Sequence, residues 1–304
     1  MEAIRIINRE TQEVEVEQVY GEKVIRFLYG QDFCSKVFGS PLLLLLSRIA
    51  FFSYLYGLWQ KMPWTAKKIM PFIQKFHVDP TEFALPLEDF TSFNDFFIRK
   101  LKKEARPLAQ GEDRAIIPAD GRYLCYQNIE KIDGFVVKGK KFSLEELLQS
   151  EGLAASYRQG TMVMARLCPT DYHRYHFPCD GVAGNTHRIP GALFSVNPLA
   201  VKQNVQIFTE NKRTLCLFET TQFGKVAYIE VGATFVGSIN QTYQAHSPIK
   251  KGDEKGFFSF GGSSLILLFE PNRLILDEDL AAAGMQQVET KCLMGQSLGI
   301  SSRI

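Results

Sequence analysis

From about residue 106 onward, short apolar runs alternate with Gly, Pro and Asn. The runs read AIIPADGRYLCY, GFVVKGKKF, GTMVMARL, GVAGNTHRIPG, RTLCLFET, KVAYIEVGATFVGSI and SSLILLF. Each is too short or too broken for an ordinary helix, and turn-forming residues bound it. Many short strands joined by turns specify an antiparallel β domain. One short helix is expected among them, SLEELLQ at Ser143–Gln149.

The part before residue 106 reads differently. Pro41–Trp59, PLLLLLSRIAFFSYLYGLW, is the most apolar stretch of the chain. Its length approaches that of a membrane span, but Ser47, Arg48 and Ser53 interrupt it. An arginine near the centre of a spanning helix costs about 2.5–3.5 kcal/mol. A helix lying in the interface avoids that cost by letting Arg48 reach the headgroups. The only tryptophans, Trp59 and Trp64, follow closely, beside Lys61, Lys67 and Lys68. Aromatic rings next to lysines suit an anionic membrane boundary. The expectation is therefore interfacial binding, with a buried soluble helix and a true span as the alternatives.

Thr65–Lys103 reads as further helices, broken at Pro71, Pro80 and Pro86. Thr91 or Ser92 is the expected cap of the helix FNDFFIRKLKK. The predicted fold class is α+β: a helical, membrane-associating region over 1–105, then a mainly antiparallel β catalytic domain over 106–304. The first eighteen residues are polar and acidic and do not read as a secretory signal.

Charge narrows the partners. Lys+Arg 35 nearly cancels Asp+Glu 33, for a net +2, so no nucleic-acid partner is expected. The six cysteines, Cys34, Cys125, Cys168, Cys179, Cys216 and Cys292, form no CxxC pair. They read as reduced, buried thiols of a cytosolic setting.

The chemistry has few candidates. His173 and His176 share one aromatic, proline-flanked stretch, PTDYHRYHFPCDG. Histidine is the simplest proton carrier near neutral pH. A structural pair bonded to backbone is the bland alternative, and no third ligand is in register for a metal. Asp120 in IIPADGRY is a strand-end carboxylate that could orient a base, or an ordinary Asp-Gly turn. Asp171 and Asp180 are its rivals. In FSFGGSSLILLF, Gly261 and Gly262 could present Ser263 at an accessible peptide, or simply make a turn. The stretch is not the GxSxG elbow, because Leu265 stands where the second Gly is needed.

In order along the chain, FNDFFIRKLKKEARPL, PADG, KGKKFSLEELL, YHRYHFPCDG, PGALFSVNPLA, VGATFVGSI and GGSS resemble phosphatidylserine decarboxylase from about Phe93 onward. The apolar N-terminal part is similar to that family too. The resemblance implies a proenzyme that breaks its own Gly262–Ser263 bond. Asp120 and His176 would activate Ser263, whose hydroxyl attacks the Gly262 carbonyl and turns the amide into an ester. Loss of the α-proton of residue 263 then expels the Gly262 carboxylate, and loss of ammonia leaves a pyruvoyl group at position 263. The products would be a large chain, 1–262, and a small chain, 263–304. Two features depart from the family's Leu-Gly-Ser-Thr pattern: Gly261 replaces the leucine and Ser264 the threonine.

The same resemblance implies the rest of the function. The pyruvoyl cofactor would form a Schiff base with phosphatidylserine and take up the electrons left by CO₂, giving phosphatidylethanolamine for phospholipid biosynthesis. His173 would serve the decarboxylation step, with no metal. The partners would be the lipid substrate, the membrane surface and the chain's own two fragments as a heterodimer, which could dimerise further. The location would be the cell membrane, peripheral or monotopic on the cytoplasmic side. Residues Leu193–Leu199, LFSVNPL, could meet the headgroup or form a packed turn. Three rivals make different predictions: a serine hydrolase with an intact chain, an inert lipid binder, and a pyruvoyl decarboxylase of a soluble amino acid.

Overall fold

A computed structural model describes residues 4–29, 38, 39, 42, 50–131, 136, 137, 140, 141, 143–202, 204–233, 238–261 and 263–302. Gly262 and most of 41–49 lie outside the described residues, so the span-or-interface question for Pro41–Trp59 is addressed only by its C-terminal part.

Where they are described, the runs expected to be strands contain strands. A ten-stranded sheet takes in Gly121–Tyr126, Thr161–Leu167, Gly181–Ile189, Arg213–Thr220, Lys225–Gly232 and Ser263–Phe269. Its pairings are antiparallel except one: Arg5–Asn8 runs parallel to Glu289–Cys292. That exception lies in the region read as helical. Arg5–Asn8 and Val14–Val16 form a hairpin that extends the sheet at one edge. The architecture is thus α+β with a large, mostly antiparallel sheet.

The Ser263–Phe269 strand explains why its sequence is so uniformly apolar. All seven residues are buried. Side chains alternate across a strand, so Leu265, Leu267 and Phe269 enter one core with Val163, Tyr175, Phe177 and Phe258. Ile266 and Leu268 enter the other with Met162, Met164 and Ile229. A strand covered on both faces has no position at which a polar residue is free, and Ser263 and Ser264 stand at its first two places.

A three-stranded sheet, Ile239–Gln241, Glu254–Phe258 and Arg174–His176, lies over the first of these cores. A third core belongs to the N-terminal helices. Ile69–Phe76 and Phe93–Phe97 pack Phe72, Phe93, Phe96 and Phe97 against Phe260, close to the strand that starts at Ser263. Ser92 caps the Phe93–Phe97 helix by accepting from the Asp95 amide at 3.1 Å. The helix is shorter than the sequence suggests, ending before Arg99. Ser143 likewise caps Leu144–Leu148. Among the described residues no helix is long and apolar enough to cross a membrane.

Candidate active site

Ser263 sits in the middle of the main sheet, opposite Gly232 on one side and Leu167 on the other. Alternation turns its side chain to the face of Leu265, under the three-stranded sheet. The residue is fully buried, and its hydroxyl has no hydrogen-bond partner among the described residues. Ser264 is different, since its Oγ donates to the Ala165 carbonyl at 2.7 Å. A buried hydroxyl left unpaired costs about 1–3 kcal/mol. Such a group in a native core calls for an explanation, and use in chemistry is one. Just upstream, Gly261 has φ +139°, a conformation that residues with side chains rarely adopt. The backbone therefore favours glycine where the family pattern has leucine.

His173 adjoins this segment. Its ring packs on Phe97, with centroids 3.9 Å apart, and Phe97 packs on Phe260 at 4.8 Å. Asn94 accepts from the Phe260 amide at 3.2 Å. One short helix, Phe93–Phe97, thus holds both the histidine and the approach to Ser263. Nδ1 of His173 lies 3.1 Å from the Asp171 carbonyl. A carbonyl only accepts, so Nδ1 carries the proton and Nε2 keeps a lone pair. Nε2 is buried and has no hydrogen-bond partner among the described residues, with the Gly261 backbone close by. Burial lowers the affinity of this ring for a second proton to about 4, against the opposing pull of Asp171 and of the Gly261 backbone.

His176 is also buried and neutral. Burial lowers its pKa to about 4, with Glu254 opposing. Its Nδ1 has no hydrogen-bond partner among the described residues, and its ring stacks against Tyr172 at 5.7 Å. Alternation along Arg174–His176 sends this ring to the face opposite Tyr175, which enters the core shared with Leu265.

Asp120 makes a different bond from the one expected. Arg106 holds both its oxygens, Nε to Oδ1 at 2.9 Å and Nη2 to Oδ2 at 2.7 Å. The Met294 amide donates to Oδ1 at 2.8 Å. Burial pushes the Asp120 carboxyl up, and Arg106 opposes that shift. No hydrogen bond joins Asp120 to His176 among the described residues. The structure therefore sets His173 beside the approach to Ser263 and gives Asp120 to Arg106. Arg106 was not foreseen. The ARPL stretch reads as a boundary in the sequence, and only the fold brings it to PADG. Asp171 and Asp180 have structural partners: Asp171 pairs with Arg122 at 2.5 Å, and Asp180 with Lys250 at 2.7 Å.

A cavity of about 460 Å³ reaches Phe260 and Gly261. Aromatic and aliphatic residues of the N-terminal part, Tyr20, Leu28 and Tyr56, form one wall. Ser195, Val196 and Asn197, from the loop singled out in LFSVNPL, form another. Its volume suits a headgroup-sized ligand. Among the described residues no group of three or more His, Cys, Asp or Glu is arranged to hold a metal ion.

Residues 93–300 match the protein-family model described as Phosphatidylserine decarboxylase. The chain belongs to that family. It is 50% identical over 303 residues to a phosphatidylserine decarboxylase proenzyme of Chlamydia pneumoniae, covering 100% of this chain and 99% of that one. The Chlamydia caviae proenzyme is 50% identical and fully covered as well. That of Chlamydia muridarum is 48% identical over 293 residues, or 96% of each chain. These matches include the first ninety residues, beyond the segment that the family model spans.

Proposed function

We propose that this chain is a phosphatidylserine decarboxylase made as a proenzyme, which cleaves itself between Gly262 and Ser263 and converts phosphatidylserine to phosphatidylethanolamine and CO₂. The observation that carries the reading is the Ser263 hydroxyl, buried and unpaired at the head of a central strand, beside a cavity.

The residues present fit a pyruvoyl group at position 263. Ser263 is buried, it offers an unclaimed polar position among the described residues, and the cavity reaches Gly261. Such a group supplies a carbonyl that takes the substrate amine and accepts the electrons released with CO₂. The chain's own residues do the remainder. Ser263 is the nucleophile of the maturation step. His176, neutral at physiological pH, is the base that takes its proton, and Asp120 supports the resulting imidazolium. Since Arg106 holds Asp120 and the Arg174–His176 strand turns the His176 ring away from the Leu265 face, this pair acts only if Asp120 exchanges partners and His176 moves towards Ser263. His173 has its lone pair on Nε2 beside Gly261; Nε2 accepts the proton that the substrate ammonium gives up and returns it to the substrate carbon that has lost CO₂.

The N-terminal part brings this site to a membrane surface. Leu55, Trp59, Trp64 and Met70 are each exposed, and the Lys68 ammonium sits 3.8 Å over the Trp59 ring. This pairing of aromatics with a cation suits the headgroup layer. After cleavage the two fragments remain one body, because Ser263–Phe269 is held between two strands of the large fragment.

The test is intact mass under denaturing conditions, followed by incubation with phosphatidylserine vesicles. Two chains dividing at Gly262–Ser263, the smaller one bearing a reducible carbonyl, with phosphatidylethanolamine formed, establish the reading. A stable single chain of 34.5 kDa rejects it.

A further inference from the structure

Arg99 follows the Phe93–Phe97 helix and is 4% exposed. Buried guanidinium groups are ordinarily paired with carboxylates. Among the described residues no carboxylate lies within ion-pair reach of this one, and its Nε has no partner. What it holds instead are backbone carbonyls, all at long range: Phe96 at 3.4 Å, Thr170 at 3.4 Å and Asp171 at 3.3 Å. The rings of Phe96 and Phe83 flank it, with centroids at 4.8 and 5.1 Å. Burial lowers its pKa to about 10, against Asp120 and Asp171. So costly a placement needs a return.

The Asp171 carbonyl is the acceptor that Arg99 shares with Nδ1 of His173. We propose that Arg99 is a positioning residue for decarboxylation: it pins the Thr170–Asp171 backbone so that the Asp171 carbonyl fixes His173 with its bare Nε2 beside Gly261. The loop is held from the other side as well. The Asp171 carboxylate takes Arg122 Nη1 at 2.5 and 2.6 Å and the Cys168 amide at 2.7 Å. Thr170 and Cys168 line the cavity, so the pinned backbone is also part of its wall. Arg99 has a second effect through charge. Of the groups acting on the His173 ring, Asp171 favours its protonation and Arg99 opposes it, while Phe97 is uncharged and Gly261 presents only backbone.

The inference rests on His173 acting in turnover, as set out above. The variants are Arg99→Met and Arg99→Lys, assayed after self-cleavage beside His173→Ala. Arg99→Met keeps bulk but cannot bond the carbonyls. Its kcat should fall roughly 10- to 100-fold, the scale of a small misplacement of a catalytic group, with KM unchanged. The acid limb of its pH–rate profile should move up towards an ordinary histidine. Arg99→Lys should recover part of kcat. Wild-type kcat in Arg99→Met beside an inactive His173→Ala overturns this inference alone. Wild-type turnover in His173→Ala overturns the reading beneath it. If the Arg99 variants do not fold, ¹⁵N imidazole shifts of the wild-type protein decide. A neutral His173 with its proton on Nδ1 is expected, and the opposite tautomer or an imidazolium at neutral pH refutes the proposal.

Discussion

Arg106 and Asp120 form a two-point ion pair, and the Met294 amide, from the segment after Ser263, donates to the same Asp120 Oδ1 that accepts from Arg106 Nε. Glu82 takes the other side of the Arg106 guanidinium at 2.8 Å. Burial works against the charge on Arg106, but Asp120 and Glu82 hold its pKa above the ordinary value.

Replacing Arg106 with Leu should therefore strand a buried carboxylate. The expected loss is about 3–5 kcal/mol, the range for breaking one partner of a buried pair. Asp120 would then rise further, and a carboxyl raised in the folded state gains stability as pH falls. The deficit of Arg106→Leu should shrink on going from neutral to mildly acidic pH. Urea midpoints at both pH values measure it. A deficit that does not change with pH would mean that Asp120 is not the group left exposed to the change.

Ser263→Ala should leave a single chain with no decarboxylase activity. It should not be less stable, since the hydroxyl it removes makes no hydrogen bond. A gain of up to about 1 kcal/mol is expected from relieving an unpaired buried group. Denaturing mass and a urea midpoint test the two halves separately. A loss of several kcal/mol would show that the hydroxyl has a structural partner.

The two histidines should separate by step. His176→Ala should block cleavage, while His173→Ala should cleave and then turn over poorly. The structure sharpens this test, because it is His173 whose environment includes Gly261. Gel analysis of both variants decides. Blocked cleavage in His173→Ala with normal cleavage in His176→Ala would reverse their roles.

Much of this was legible in the chain. The mostly antiparallel sheet, the Ser92 alternative for the cap and a short helix within Ser143–Gln149 follow from apolar runs and local cap chemistry, which act over a few residues. The hairpin at Arg5–Asn8 was not legible, because its pairing partner is Glu289–Cys292, at the other end of the chain. No local signal distinguishes a strand recruited over such a separation. The same reason hid Arg106 and Arg99. A buried arginine reads in sequence as one more surface cation, and only the fold shows Arg106 against Asp120 and Arg99 against the Asp171 carbonyl.

Acid should unfold the protein through His173 and His176. Both are held near 4 by burial, below the value of about 6.5 in an unfolded chain. The unfolded state therefore binds protons first as pH falls. Stability is complete above about 6.5 and is lost between there and about 4, by roughly 3 kcal/mol for each histidine. Glu17 adds to the loss at lower pH. Burial raises its carboxyl, but Arg166 and Arg122 outweigh that and leave it lowered. Midpoints across this range in His173→Phe/His176→Phe should show a flatter dependence. An unchanged slope would place the acid sensitivity elsewhere.

The N-terminal hairpin should act as a clasp on the small fragment. Arg9 bonds Asp277 at 2.9 Å and Asp279 at 2.7 Å, and its amide donates to the Lys291 carbonyl at 3.1 Å. Every one of these partners lies after Ser263, so cleavage would turn them into contacts between two chains. Hydrogen bonds to charged groups contribute about 1.5–3 kcal/mol each where they are shielded, and Arg9 is only 12% exposed, though both acids are partly in water. Arg9→Met in the cleaved protein should release the 263–304 fragment at a lower urea concentration, read by size-exclusion chromatography in graded urea. The uncleaved Ser263→Ala chain carrying the same change should lose less, because its two parts stay covalently joined. Equal losses in the two backgrounds would mean that Arg9 stabilises the fold without fastening one fragment to the other, and that the strand pairings of Ser263–Phe269 and Glu289–Cys292 keep them together.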